Sequence, residues 1–217
     1  MDTLHSYYRS TAAWRVRIAL GLKGLPTRQV PHHLRRGEQR APSFLALNPQ
    51  GLLPVFESEA GGGEAGPAVL TQSLAIIEYL DEIHPDPPLL PATSLARARV
   101  RAFALAIACD VHPVQNMRVL ARLRALGLAE PQVQAWAHDT IADGLGACEA
   151  LLAGQPGPYC FGGAPGLADL CLVPQLFNAR RFAVPLDGLA RLLQAEAACL
   201  ALPAFADAVA ERQPDAE

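Results

Sequence analysis

The sequence has no basic block: its 18 Lys and Arg are scattered among 21 Asp and Glu, for a formal net charge of −3. Such a distribution offers a polyanion no surface to grip, which argues against a nucleic-acid partner. Long apolar runs are missing too. The most apolar late stretch, ACLALPAFADAVA, is broken by Pro203 and Asp207 and is too short to cross a bilayer, so no membrane partner is expected. The opening MDTLHSYY has no basic segment followed by an apolar one. No secretory leader is therefore expected, and the expected location is the cytoplasm. Cysteines number five, with no C-x-x-C pair and no metal-ligand spacing, so no metal site is expected. Cys109, Cys148, Cys160, Cys171 and Cys199 all have apolar neighbours and read as reduced core residues.

What is present is the material of a core. Hydrophobic residues make up 51% and charged residues 18% of 217, enough for one large globular domain or two small ones, rich in helix. Two halves differ in pattern. Up to residue 84, strands expected at Leu4 to Tyr8, Thr27 to His32, Leu52 to Glu57 and Ala68 to Leu70 alternate with helical segments. Those helices are Ala12 to Lys23, stopped by Gly24, then Pro42 to Leu47, and Gln72 to Ile83. Asn48-Pro49-Gln50-Gly51 is a turn signature, and SEAGGGEAGP reads as a flexible hairpin loop without function. The order βαβαββα gives a small α/β domain with a mixed sheet. A Pro-rich linker over 85–92 follows, and 93–217 reads as helical throughout, with segments near 93–125, 130–153, 167–180, 186–200 and 203–212. Pro113 falls inside the first of these and should bend it.

Three short stretches could carry chemistry. Pro54 in LLPV sits where a strand tolerates proline only at an edge, at its start or at a special bond. Gln72-Ser73 opens a helix, where Ser73 can cap and the free N–H groups suit a carboxylate; both can hold at once. Arg9-Ser10-Thr11 opens another. Read locally, Ser10 is either an N-cap or a hydroxyl that lowers a thiol pKa at a helix N-terminus.

A βαβαββα domain joined by a Pro-rich linker to helices resembles the cytosolic glutathione transferase fold: a thioredoxin-like domain with a cis-Pro, then an all-α domain. SYYRSTAAWRVRIALGLKG, ALNPQGLLPV, QSLAIIEYLDE, CDVHPVQNMRVL and GLADLCLVPQLFNARRF resemble, in order and spacing, the zeta class, the maleylacetoacetate isomerases. The resemblance covers nearly the whole chain. It implies domains at 1–84 and 93–217, glutathione as cofactor, and a homodimer. It implies Ser10, with Thr11 assisting, as holder of the glutathione thiolate. Leu53 ahead of cis-Pro54 would pair with the cysteinyl unit through its backbone. Gln72 and Ser73 would form the γ-glutamyl site, with Gln39 near the glycyl end. His112 and Asn116 would reach the cofactor, although His112 also reads as a structural histidine. Arg9 and Arg181 would grip the carboxylates of a small dicarboxylate, Arg180 being the weaker candidate.

The implied activity is cis–trans isomerisation of maleylacetoacetate to fumarylacetoacetate in aromatic catabolism, with the thiolate adding to the double bond and leaving again. Maleylpyruvate isomerisation in gentisate breakdown, a general glutathione S-transferase and a non-catalytic glutathione-binding module are the alternatives. Two departures stand out. Many relatives read S-S-C where this chain has Ser10-Thr11-Ala12, so the only sulfur expected to react is glutathione's. Gly166 replaces a common Ser or Thr helix cap opposite Asp169.

Overall fold

The computed structural model describes residues 1–63 and 66–217. It forms two compact units, Met1–Leu89 with Ala201–Glu217, and Leu90–Leu200. The first has the expected βαβαββα order: β1 (Thr3–Ser6), α1 (Thr11–Leu22), β2 (Arg28–Pro31), α2 (Pro42–Leu47), β3 (Val55–Gly63), β4 (Gly66–Thr71) and α3 (Ser73–Ile83). The sheet order is β2-β1-β3-β4, with β1 and β2 parallel and the other neighbours antiparallel. Register places Ser6 opposite Pro31, His5 opposite Val55, and Val55 opposite Thr71. The exits of β1, β2 and β4 and the entrance of β3 therefore share one end of the sheet.

The hairpin differs from expectation. β3 runs on to Gly63 and β4 starts at Gly66, so much of the expected SEAGGGEAGP loop is strand; Glu64 and Ala65 lie outside the described residues. Small residues hide the strand from a hydrophobic pattern but make room for it. Ser58 is fully buried with its Oγ 3.0 Å from Tyr79 Oη, and a Cβ on Gly61 would come within 2.8 Å of that same oxygen.

Helix α1 packs on α3, burying Val16, Ile18, Ala19 and Leu20. At its end Lys23 donates to Asp81 Oδ1 at 2.9 Å and to the His84 and Pro87 carbonyls, tying the two helix ends together. The last seventeen residues, expected with the helices of 93–217, instead return to the first unit. Polar contacts fasten it there alongside buried Phe205: the buried Arg17 guanidinium donates to the Ala208 carbonyl at 3.1 Å, and Asp215 accepts the Tyr8 amide at 2.9 Å. Beneath β1, His5 bridges His32 at 2.8 Å and Glu57 at 2.5 Å.

The second unit holds α4 (Ser94–Leu105), α5 (Met117–Ala125), α6 (Glu130–Leu151), α7 (Leu167–Arg181) and α8 (Ala190–Leu200); the short α9 (Pro203–Ala206) belongs to the first. The single bent helix expected over 93–125 is two helices. After α4 the chain widens into a π-helical segment, Ala106–Val111, with His112 N–H donating to the Ile107 carbonyl at 2.9 Å. Pro113 lacks the N–H to carry a regular helix on, and α5 starts afresh. At α7 Gly166 has no side chain to cap with, and Asp169, the third helical residue, reaches back to accept the Gly166 amide at 2.9 Å and the Cys160 amide at 2.8 Å. Burial raises the Asp169 pKa against the pull of those two donors. Four cysteines are buried, and burial pushes the Cys148 thiol to about 12; Cys109, in the π-helical segment, departs from expectation and is exposed. Among the described residues no helix is long and apolar enough to cross a membrane.

Burial, then the neighbouring His5, lowers the His32 pKa from its ordinary 6.5. The unfolded chain thus takes up this proton first, and stability falls as pH drops below about 6.5, levelling off under the folded pKa. Thermal melts should show Tm falling across that window in the wild type and a flatter profile in His32→Gln; equal slopes would assign the loss to other groups.

Candidate active site

Every first-unit candidate lies in one of the four segments that meet at the shared sheet end. After β1 the chain turns through Tyr7 to Arg9, closed by the Ser10 amide donating to the Tyr7 carbonyl at 2.8 Å. Ser10 is the N-cap of α1, its Oγ accepting the Ala13 amide at 3.2 Å. That amide can only donate, so the hydroxyl proton of Ser10 is left for another acceptor. The cap reading therefore holds, and it leaves the hydroxyl proton uncommitted by the Ala13 amide. Thr11 opens the helix and is buried, while the Arg9 guanidinium stands 5.8 Å from the centroid of the Tyr8 ring. Burial raises the Tyr7 pKa to about 12, which keeps its phenol protonated at neutral pH.

This turn is held by Arg17, a residue with no sequence signal beyond its charge in an apolar helix. Its guanidinium donates to Ser6 Oγ at 3.0 Å and to the Tyr7 and Tyr8 carbonyls at 3.4 and 3.1 Å. Burial lowers its pKa to about 10, so it stays charged.

The Leu53–Pro54 bond is cis, and Leu53 precedes the first ladder pair of β3 at Val55. The turn ahead is fixed by buried Asn48, whose Nδ2 donates to the Leu52 carbonyl at 2.7 Å and whose Oδ1 accepts the Gln50 amide at 3.0 Å. Gly51 has φ 62°, and a Cβ there would lie 3.3 Å from the Gln39 carbonyl oxygen. The turn thus passes close to Gln39. Gln39 Nε2 donates to the Leu34 carbonyl at 3.3 Å, and its Oε1 is buried with no partner among the described residues. Gln50, which sequence reading passed over, accepts a 2.9 Å bond from Gln72 Nε2. Gln50 thereby links the segment before β3 to the one after β4.

Ser73 is not the cap expected of it. Gln72 holds the cap position with φ 69° and ψ 115°, a left-handed conformation that costs a non-glycine residue about 1–3 kcal/mol. Ser73 is the first helical residue, and its Oγ instead accepts from Arg15 Nη1 at 3.3 Å. Arg15 comes from α1, a contact no local pattern announces.

The remaining candidates lie in the helical unit. His112 follows the π-helical segment and is half-buried. Asn116 is the N-cap of α5, its Oδ1 accepting the Arg118 amide at 3.2 Å. Arg181 ends α7 and is exposed, its guanidinium 5.3 Å from the centroid of the Phe182 ring. Arg180 is committed elsewhere, in a two-pronged pair with the buried carboxylate of Glu196 at 2.5 Å.

Two helix N-termini and a backbone segment beside a cis proline thus meet at one sheet end. Residues 4–88 match the glutathione S-transferase N-terminal domain and 127–195 the C-terminal domain, so the chain belongs to the glutathione S-transferase family. A maleylacetoacetate isomerase of Pseudomonas aeruginosa is 47% identical over 98% of this chain and 97% of its own. A maleylpyruvate isomerase solved in its holo form, a bacterial zeta-class glutathione S-transferase, superposes with a TM-score of 0.92 at 43% identity, covering 99% of this chain and 100% of that one. A maleylacetoacetate isomerase of Anaeromyxobacter dehalogenans, solved with glutathione in its active site, gives 0.90 at 41% identity, covering 100% and 98%.

Arg180→Ala strands the Glu196 carboxylate and should lower stability by about 1–3 kcal/mol. Denaturant titration checks this, and an unchanged midpoint would leave the pair without weight. Asn116→Ala, which removes a helix cap, should cost about 1 kcal/mol in the same measurement.

Proposed function

We propose that the chain is a glutathione-dependent cis–trans isomerase that converts maleylacetoacetate to fumarylacetoacetate in aromatic catabolism. The observation that carries this reading is the Ser10 hydroxyl: capped from below by the Ala13 amide at 3.2 Å, it keeps its proton for a thiolate at the start of α1. Glutathione suits the residues around it. The α3 N-terminus with Ser73 and Gln72 fits the γ-glutamyl carboxylate, and the Leu53 backbone fits the cysteinyl unit. The orphaned Gln39 Oε1 is an acceptor for an N–H toward the glycyl end.

Glutathione bound in this way supplies a thiolate that adds to the double bond and is later eliminated, leaving the alkene trans. Ser10, with Thr11 beside it, holds that sulfur in its charged form. Arg9 orients one substrate carboxylate and offsets charge developing on the conjugated carbonyl oxygen, and Arg181 is assigned the other. The Arg180 guanidinium is taken by Glu196, and Arg181 carries this role by family resemblance. His112 and Asn116 are assigned to the cofactor. No cysteine is needed at Ala12, because the reacting sulfur is not the protein's. A cytoplasmic homodimer completes the reading. Maleylpyruvate is the second substrate to consider, favoured by the 0.92 TM-score to a maleylpyruvate isomerase; the chemistry is the same on a shorter diacid.

Turnover of each keto diacid, with and without added glutathione, tests the proposal. Glutathione-independent turnover would sink the mechanism, and activity on neither diacid would leave a binding module. Ser10→Gly keeps the helix start within a few tenths of a kcal/mol. It should nevertheless raise the pKa of bound glutathione's thiol, read from thiolate absorbance, and lower kcat/KM by about 10²-fold or more. An unaltered pH–rate profile would remove Ser10 from the chemistry.

A further inference from the structure

Helix α1 buries two arginines, and they are treated very differently. Arg17 is saturated, by three carbonyls and a serine hydroxyl, with Asp215 close by. Arg15 is 2% exposed and makes one hydrogen bond, from Nη1 to Ser73 Oγ at 3.3 Å. Its Nε and Nη2 are buried with no hydrogen-bond partner, and no carboxylate among the described residues pairs with it. A guanidinium is charged at any working pH, and a buried cation without a counter-charge is costly. A protein retains such a cation at a net gain when the balancing charge arrives with a ligand.

The direction from which that charge would come is set by Ser73. Arg15 can only donate, so Ser73 Oγ must accept, and the serine's own proton is turned away from Arg15. Ser73 is also the first residue of an eleven-residue helix, whose opening N–H groups are unbonded within the helix. The preceding Gln72 is held at φ 69° in the cap position and offers no side-chain cap. Ordinarily a cap side chain would answer those donors; here none does. Hydroxyl proton, helix N-terminus and buried cation therefore sum at one point.

We propose that Arg15 is a positioning residue for the ligand's α-carboxylate: it orients the Ser73 hydroxyl as a donor and supplies the unbalanced positive charge that a carboxylate at the start of α3 neutralises. The inference rests on the glutathione reading above and deepens it. Arg15 acts through Ser73 and through its field, without touching the thiol or the reacting double bond. It follows that Arg15 should matter for binding of any γ-glutamyl ligand bearing that carboxylate, and hardly at all for one without it.

Calorimetric titration of the full-length protein tests this with two probes, glutathione and its analogue lacking only the α-carboxylate of the glutamyl unit. Wild type should bind the analogue on the order of 10²-fold more weakly, the scale of one charge-assisted contact plus a helix-end term. In Arg15→Met that ratio should shrink to a few-fold, and Arg15→Lys, which restores the charge, should regain part of it. With glutathione saturating, kcat should stay near wild type in Arg15→Lys while KM for glutathione rises. If the ratio is as large in Arg15→Met as in wild type, Arg15 does not act on the carboxylate and the inference falls alone. If wild type binds neither probe, the glutathione reading and the inference fall together. Should Arg15→Met fail to fold, Ser73→Ala in the wild-type background reads the same coupling: the ratio must drop there too, and an unchanged ratio overturns the proposal.

Discussion

A guanidinium buried in α1, that of Arg17, fixes the path of the chain from the sheet to Ser10. Where β1 ends, it donates to the Tyr8 carbonyl and adds a second bond to the Tyr7 carbonyl, which the Ser10 amide also pairs. One planar fork answers both, and reaches the Ala208 carbonyl as well. The turn that presents Ser10 thus has little freedom, and the C-terminal segment is fastened to the same point. The role proposed for that hydroxyl needs such rigidity, since a donor is effective only when it is in place before the charge develops.

The other parts of the site depend on the sheet's register. Parallel pairing of β1 with β2 and antiparallel pairing of β1 with β3 and β3 with β4 bring four segments to one end. Each contributes one kind of group: a capped hydroxyl after β1, a buried amide after β2, open backbone before β3, and a bare helix N-terminus after β4. All of these are donors or acceptors preorganised by backbone geometry, and few are charged. Positive charge is carried by the half-buried Arg9 and the buried Arg15, which suits a ligand that is acidic at its ends and peptide-like in between.

Much of this was legible in the sequence. Apolar periodicity located the seven elements of the first unit in order, because strand and helix periods are local properties of the pattern. Pro54 and Ser10 were found because proline in a strand and serine before a helix are unusual or informative in themselves. The assignments of Gln39 and Arg181 came from family resemblance alone, as their local surroundings resemble any polar surface. Other features escaped. Ser58 and the glycines of β3 carry too little side chain to announce a strand, and only the proximity of Tyr79 reveals why they must be small. Ser73 looked like a cap since Ser often is one; a residue 58 positions away claims its oxygen instead.

The sequence by itself determined the order of elements, the βαβαββα plan followed by helices, and the residue types from which a thiolate site could be made. Each of these depends on neighbours within a few positions along the chain. Only the tertiary structure decided which of two buried arginines is satisfied and which is not, that Gln50 joins Gln72, and that the last seventeen residues turn back to the first unit. Those outcomes are set by pairings between distant segments: a buried polar group takes whichever partner folding delivers, and nothing local says which that will be.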